Sequence, residues 1–439
     1  MKKTIPAMAL LAAVIAALVL CVPCAAEDAF IDYASSVRPD AGSATVRQLV
    51  TVNNYVDGDT THFIVPASVD PSGEFRARYI AVNTPESTGK IEEWGKAASR
   101  FTKEKLENAE EILIESDSDQ WNPDSTSSRY LVWVWYRPVD DQDYRNLNIE
   151  LLQNGLAIAN SAAQNRYGDV CMAAIAQAKA HKLNIYSGEK DPDFFYGDAI
   201  ELTIRELRLH PEAYDGKKVT FTGIVTQNHK KAVFIEDYDV ETGLYFGISA
   251  YYGNNMSGGG LDILTPGNEV RIVGIMQYYE AGHAWQISGM NYRAMKPNDP
   301  GNIQKLSDGH TPSWKETTVD LFHSTVTLET DEGSQAYPYA YLALGTTVSV
   351  NGLPVADVYI PEQNNGHDGT FKLDCGFDQK IKIVVPPVKD EAGRLLTHED
   401  FSGKTIDARG VVAYNPDAPE YCQYYIRVYT LDGLTIHDN

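Results

Sequence analysis

Cysteine is scarce in this 439-residue chain: there are five, and Cys21 and Cys24 lie within the first 26 residues. A disulfide-stapled scaffold is thereby excluded. Of the other three, Cys171 sits amid Ala and Met at helical spacing and reads as core. Cys375 and Cys422 read either as a disulfide in an oxidising compartment or as two separate buried thiols. Positive charge is scarce too, with 37 Lys and Arg against 60 Asp and Glu and a net charge of -23. Such a surface repels polyanions, so the chain is not a general electrostatic binder of nucleic acid, and any such contact has to be local. Among the ten histidines, His181 and His283 have no partners at metal-ligand spacing, and His62 alternates on a strand in a way that predicts an exposed, inert ring. Long apolar runs are missing beyond the N-terminus. The run Ala7 to Leu20 is short for a membrane span, follows Lys2 and Lys3, and precedes the small residues of Cys24-Ala25-Ala26. It predicts a signal peptide over residues 1–26 and a secreted, extracellular protein, free or associated with the cell surface, with a retained anchor as the alternative.

What remains is ordinary globular material, 43% hydrophobic and 22% charged, and too long for one core. Residues 48–188 alternate at period two over several strands, with helical spacing at Lys96 to Ala109, Leu147 to Asn154 and Val170 to Leu183. This predicts a small barrel with helices packed on it. Residues 199–297 hold a short helix, Thr203 to Leu209, and five short strands with a long glycine-rich loop before the fourth, the pattern of an OB-type Greek-key barrel. Residues 298–313, rich in Pro, Gly, Asn and Asp, read as a linker. Residues 314–439 repeat the strand pattern. Gly267-Asn268-Glu269-Val270-Arg271-Ile272-Val273-Gly274 compares with Gly403-Lys404-Thr405-Ile406-Asp407-Ala408-Arg409-Gly410 in its order of turn, strand and bulge-forming glycine. A second OB-like barrel follows, with a small β-sandwich as the alternative. The expected fold class is mainly β with α: a barrel plus helices, then two small all-β barrels.

The chemistry concentrates in Val56-Asp57-Gly58-Asp59-Thr60, Arg78 and Asn83-Thr84-Pro85-Glu86. Carboxylate, amide and backbone oxygens at strand ends are hard ligands suited to Ca²⁺. Asp59 is the expected direct ligand, with the side-chain oxygen of Asn83 and the carbonyl of Thr84 beside it, while Asp57 braces the turn. A phosphodiester attacked by water gains negative charge, which planar guanidinium forks stabilise, and Arg78 and Arg129 are the candidates. Glu86 is placed to orient or deprotonate the water. In the second barrel, Tyr245, Tyr251, Tyr278 and Trp285 are candidates for stacking on bases.

Residues of about 48 to 188 resemble the thermonuclease, or staphylococcal-nuclease-like, family. The match runs through Asp57-Gly58-Asp59-Thr60, Arg78, Thr84-Pro85-Glu86, Trp94-Gly95-Lys96-Ala97-Ala98 and Ser128-Arg129, and ends on Asn154-Gly155-Leu156-Ala157 and Lys182-Leu183-Asn184-Ile185-Tyr186. The resemblance implies an OB-type barrel with three helices and Ca²⁺-dependent cleavage of DNA and RNA to 3'-phosphates. It implies Asp59 as metal ligand, Thr84 as carbonyl ligand, Arg78 and Arg129 as phosphate clamps and Glu86 as the base. Two positions depart from the family pattern: Asn83 stands where an aspartate is usual, and Ser127-Ser128 where Tyr-Gly usually precedes the arginine. The expectation is a secreted calcium-dependent endonuclease. The alternative, motivated by Asn83 and the acidic surface, is a catalytically weak extracellular binding or scaffold protein.

Overall fold

Strands of alternating polarity close on themselves three times in succession, and the strand order is the same each time. A computed structural model describes residues 29–39, 42–89, 91–126, 128–253, 256, 258–296, 298–330, 333–359, 370–390 and 392–438. The expected signal peptide lies outside the described residues. Met1–Asp32 and Tyr33–Asn439 are separate units, and the architecture that follows belongs to the second.

The first barrel comprises β1 (Arg47–Asp57), β2 (Thr60–Ile64), β3 (Glu74–Tyr79), β4 (Ala109–Glu115) and β5 (Tyr130–Pro138). It is closed by antiparallel pairing of β1 with β4 and parallel pairing of β3 with β5. In β3 the inward set Phe75, Ala77 and Tyr79 is buried, leaving Arg76 and Arg78 on the other face. The run from Tyr130 is different: Val132 to Tyr136 are all buried, because one face of β5 meets the barrel core and the other meets helices. Trp133 and Trp135 there each find a carboxylate for the indole N–H, Asp117 and Glu115 respectively. The covering helices are α1 (Gly95–Glu107), α2 (Leu147–Gln153) and α3 (Gly168–Ala180). Every residue of α2 is buried, and Cys171 of α3 lies in the same core. Fully buried side chains such as Phe63, Phe75 and Ile114 contribute about 1.5–3 kcal/mol each.

The second barrel comprises β6 (Lys218–His229), β7 (Ala232–Asp239), β8 (Leu244–Tyr251), β9 (Glu269–Tyr279) and β10 (Ala284–Ser288). The third comprises β11 (Thr347–Tyr359), β12 (Phe371–Cys375), β13 (Ile381–Val385), β14 (Thr405–Tyr414) and β15 (Tyr424–Arg427). In all three the first strand pairs with the second and fourth, and the third pairs in parallel with the fifth. The fold is therefore mainly β with α, an OB-type barrel with helices followed by two OB-like barrels. Closure between β11 and β14 rejects the sandwich alternative, since a sandwich would leave those edges open. Within the expected linker, Gln304–Ser307 is a strand that pairs with β9. The linker's Gly and Asn residues mark the turns on either side, and the short apolar-polar stretch between them was too brief to read. Cys171, Cys375 and Cys422 are all buried and free, so the disulfide option is not realised. No helix among the described residues is long and apolar enough to cross a membrane.

Candidate active site

Asp57 ends β1 and Thr60 opens β2, leaving Gly58-Asp59 as the turn between them. The turn requires glycine by space: a Cβ at Gly58 would lie 2.8 Å from Thr84 Cγ2 and 2.9 Å from Ala98 Cβ. From beneath, the Thr102 hydroxyl of α1 donates to the Gly58 carbonyl at 2.6 Å. The Asp57 Oδ1 accepts the Asp59 N–H at 3.2 Å, the bracing role expected of it.

Asp59 is buried, and its carboxylate is the hub. Oδ1 accepts from the Thr60 hydroxyl at 3.1 Å, while Oδ2 accepts the Thr84 N–H at 2.8 Å and lies 2.6 Å from Arg78 Nη1. Arg78 reaches it because β3 pairs with β2 in the register that sets Arg78 opposite Thr60. The same guanidinium donates through Nη2 to Asn83 Oδ1 at 2.7 Å and through Nη1 to the Val82 carbonyl at 3.2 Å. Asn83 comes back onto Arg78 through a turn in which Ala81, with a Cβ, holds φ at 70°. That left-handed conformation costs about 1–2 kcal/mol, and the burial of Ala81 and the pairing of Ala81–Asn83 with Ile158–Asn160 hold it in place.

Asp59, Arg78, Asn83 and Thr84 thus form one hydrogen-bonded cluster, with Glu86 exposed at its mouth. Arg129 stands one step away at the start of β5, where Asp124 Oδ2 holds its Nε at 2.8 Å and its Nη2 at 2.7 Å. Both arginines are close enough to pull the Glu86 carboxyl down in pKa. Its net displacement is nevertheless upward, through partial burial first and then the charges of Asp59 and Glu92. Asp57 is pushed up to about 7, by burial first and then by repulsion from Asp59 and Glu86.

The site is therefore short of positive charge. Asp57, Asp59 and Glu86 repel one another, and the nearby guanidinium of Arg78 is already committed. Among the described residues no three His, Cys, Asp or Glu side chains are gathered to cage a metal by themselves. The Thr84 hydroxyl is buried next to the turn with no hydrogen-bond partner. An oxygen-only donor set with uncompensated negative charge and irregular geometry fits a hard cation such as Ca²⁺, in which case Asn83 and the Thr84 carbonyl would have to complete what Asp59 begins.

Other expectations fared unevenly. His62 is half-buried rather than exposed, its Nδ1 is 3.1 Å from Glu74, and burial lowers its pKa. Asp124, Glu92 and Thr102 were missed: Asp124 pairs with Arg129 across a loop turn closed by Thr126, and no periodicity links those positions. Ser127 lies outside the described residues. Of the aromatic candidates, Tyr251 and Tyr278 line a cleft that Glu86 also lines, whereas Tyr245 lies under the Lys315 ammonium, 4.4 Å from the ring centroid, and Trp285 packs on the second core.

Residues 76–188 match the family described as Staphylococcal nuclease homologue. The thermonuclease of Staphylococcus intermedius is 32% identical over 140 residues, which cover 31% of this chain and 74% of that protein.

Proposed function

The chain belongs to the thermonuclease family, and from that premise we propose that it is a secreted, calcium-dependent endonuclease hydrolysing phosphodiester bonds of DNA and RNA. The observation that carries the reading is the convergence of Asp59, Arg78, Asn83 and Thr84 in one cluster, with the Glu86 carboxyl at its mouth under the influence of Arg78 and Arg129.

Each residue has a distinct task in this reading. Glu86, exposed and raised above the usual carboxylate range, holds the attacking water and accepts its proton, as a base works best when its affinity for protons is near the working pH. Arg78 and Arg129 offer forks to the phosphate oxygens as charge builds there; Arg78 is held ready by Asn83 and Asp59, and Arg129 by Asp124. The arrival of a phosphate lets Arg78 exchange its carboxylate and amide partners for phosphate oxygens. Asp59, Asn83 and the Thr84 carbonyl would hold the calcium ion, which when bound polarises the phosphate and neutralises the carboxylates. The test is cleavage of single-stranded DNA by the purified protein while Ca²⁺ is titrated against a chelator. Calcium-dependent cleavage is expected. A folded protein that cleaves fully in chelator, or that fails to cleave with any divalent ion, overturns it, and the latter result would favour the binding-protein reading that Asn83 motivates.

A further inference from the structure

The second barrel is docked against the first beside Glu86. Gln277 of β9 donates its amide to the Ser87 carbonyl at 2.8 Å in a buried contact, and the Gln277 oxygen is itself held by Ser288 at 2.8 Å. Lys96 of α1 pairs with Asp215 at 2.6 Å and Lys103 with Glu280 at 2.9 Å. Gly289, at φ 65°, brings its backbone so near the Gly89 carbonyl that a Cβ would stand 2.9 Å from it. Between these contacts the two barrels leave a cleft of about 1090 Å³, lined by Glu86 and Tyr55 from one side and by Tyr251, Tyr278 and Tyr279 from the other.

Two features of the cleft limit what it holds. Its cations are spent: Lys96, Arg100 and Lys103 each already carry an acidic partner, so a phosphate backbone finds little free positive charge. Tyr55 is partly buried with the Lys103 ammonium over its ring, but the tyrosines of the second barrel are open. Tyr251 and Tyr278 are each 40% exposed, and Trp285 packs on the Tyr278 ring at 5.2 Å between centroids. Open rings with polar edges in a nearly neutral cleft suit the faces of unpaired bases, which are covered in a duplex.

We infer that this cleft between the first two barrels takes unpaired bases of a single nucleic-acid strand, stacked on Tyr251 and Tyr278, and feeds that strand to Glu86. The inference rests on the hydrolase reading for its substrate class. It makes the second barrel part of the substrate site, with a preference for single strands over duplexes, the stacked rings adding to what Arg78 and Arg129 supply at the phosphate.

The experiment is fluorescence anisotropy of a labelled oligothymidylate, and of a duplex of the same length, with the full chain in EDTA, followed by cleavage of both in Ca²⁺. Single strands are expected to bind more tightly than the duplex. Tyr251→Ala and Tyr278→Ala should each weaken single-strand binding roughly 5- to 150-fold, the range set by about 1–3 kcal/mol per stacked base. Tyr278→Phe, which keeps the ring, should bind as the native protein does, and this separates stacking from a folding defect. Unchanged affinity in both alanine variants, or equal affinity for the duplex, overturns the inference. If cleavage persists alongside that result, the hydrolase reading survives without it. If binding follows the rings but no cleavage occurs with any divalent ion, the cleft is upheld and the hydrolase reading falls.

Discussion

Asn83 turns its side-chain oxygen onto Arg78 and so keeps the geometry of the cluster while supplying no charge to it. If Asp59, Asn83 and Thr84 hold calcium, Asn83→Asp adds a second formal charge to the donor set, and the calcium concentration giving half-maximal cleavage should drop by roughly tenfold. A calcium titration of both proteins on one substrate checks it, and an unchanged midpoint would remove Asn83 from the ligand set. Glu86 calls for a different substitution. Glu86→Gln keeps the shape and removes the base, so cleavage should fall by roughly 10²- to 10⁴-fold. The melting temperature in chelator should hold or rise, because one of the three mutually repelling carboxyls is gone. Arg78→Ala is the less informative variant: it strips the buried Asp59 of its partner and would lower stability and activity together. These residues were legible in the sequence because the Asp-Gly-Asp turn, the strand register of Arg78 and the Thr-Pro-Glu run are all local. Asp124 was not, since a carboxylate in a loop carries no sign of which arginine it will meet.

At the scale of elements, short helices depend on their caps, and the four-residue helix His398–Phe401 shows how. Asp400 at its third position accepts from the Thr397 N–H at 2.6 Å and hydroxyl at 2.9 Å, and Arg394 grips it at 2.8 and 2.9 Å. Arg394 first, and then the Thr397 N–H, hold the Asp400 carboxyl well below the usual carboxylate range. A carboxyl whose pKa falls on folding stabilises the fold above its unfolded value, near 3.9, and loses that contribution as pH drops toward its folded value. Asp400→Asn should therefore cost about 1 kcal/mol at pH 7, kept small by solvent around the pair, and the difference should shrink as pH falls below about 4. Urea midpoints at the two pH values decide it; a pH-independent gap would mean that packing of Phe401, not the charge, is at stake. That helix was hidden in a block that reads as all strand. The long strands and α1 announced themselves by period, whereas Gln304–Ser307 hid in a stretch of turn-forming residues because its strand character comes from β9 alongside it.

For the whole molecule, nothing in the order of residues shows how the barrels join, since Ser87 and Gln277 meet across 190 residues. The junction of the second and third barrels makes the energetic point. Glu236 on β7 is buried against Lys315, and its Oε1 also receives the Thr347 hydroxyl at 2.7 Å at the start of β11. Gly247 and Gly345 touch backbone to backbone nearby, so close that a Cβ at Gly247 would lie 2.4 Å from the Gly345 carbonyl carbon. Burial raises the Glu236 pKa and lowers that of Lys315, each opposed by the other's charge, which is the signature of a pair that leaves water at a cost and survives only intact. Lys315→Met should thus destabilise by about 3–5 kcal/mol at neutral pH, because it strands a buried carboxylate. Pairing it with Glu236→Gln keeps an oxygen for Thr347 and removes the stranded charge, so the double variant should recover most of that loss. Denaturant unfolding of the three proteins measures both steps. If the single variant unfolds at the native midpoint, the ion pair does not weld the barrels; if the double variant stays as weak as the single, the attraction itself, rather than the avoidance of an unpaired charge, holds this junction together.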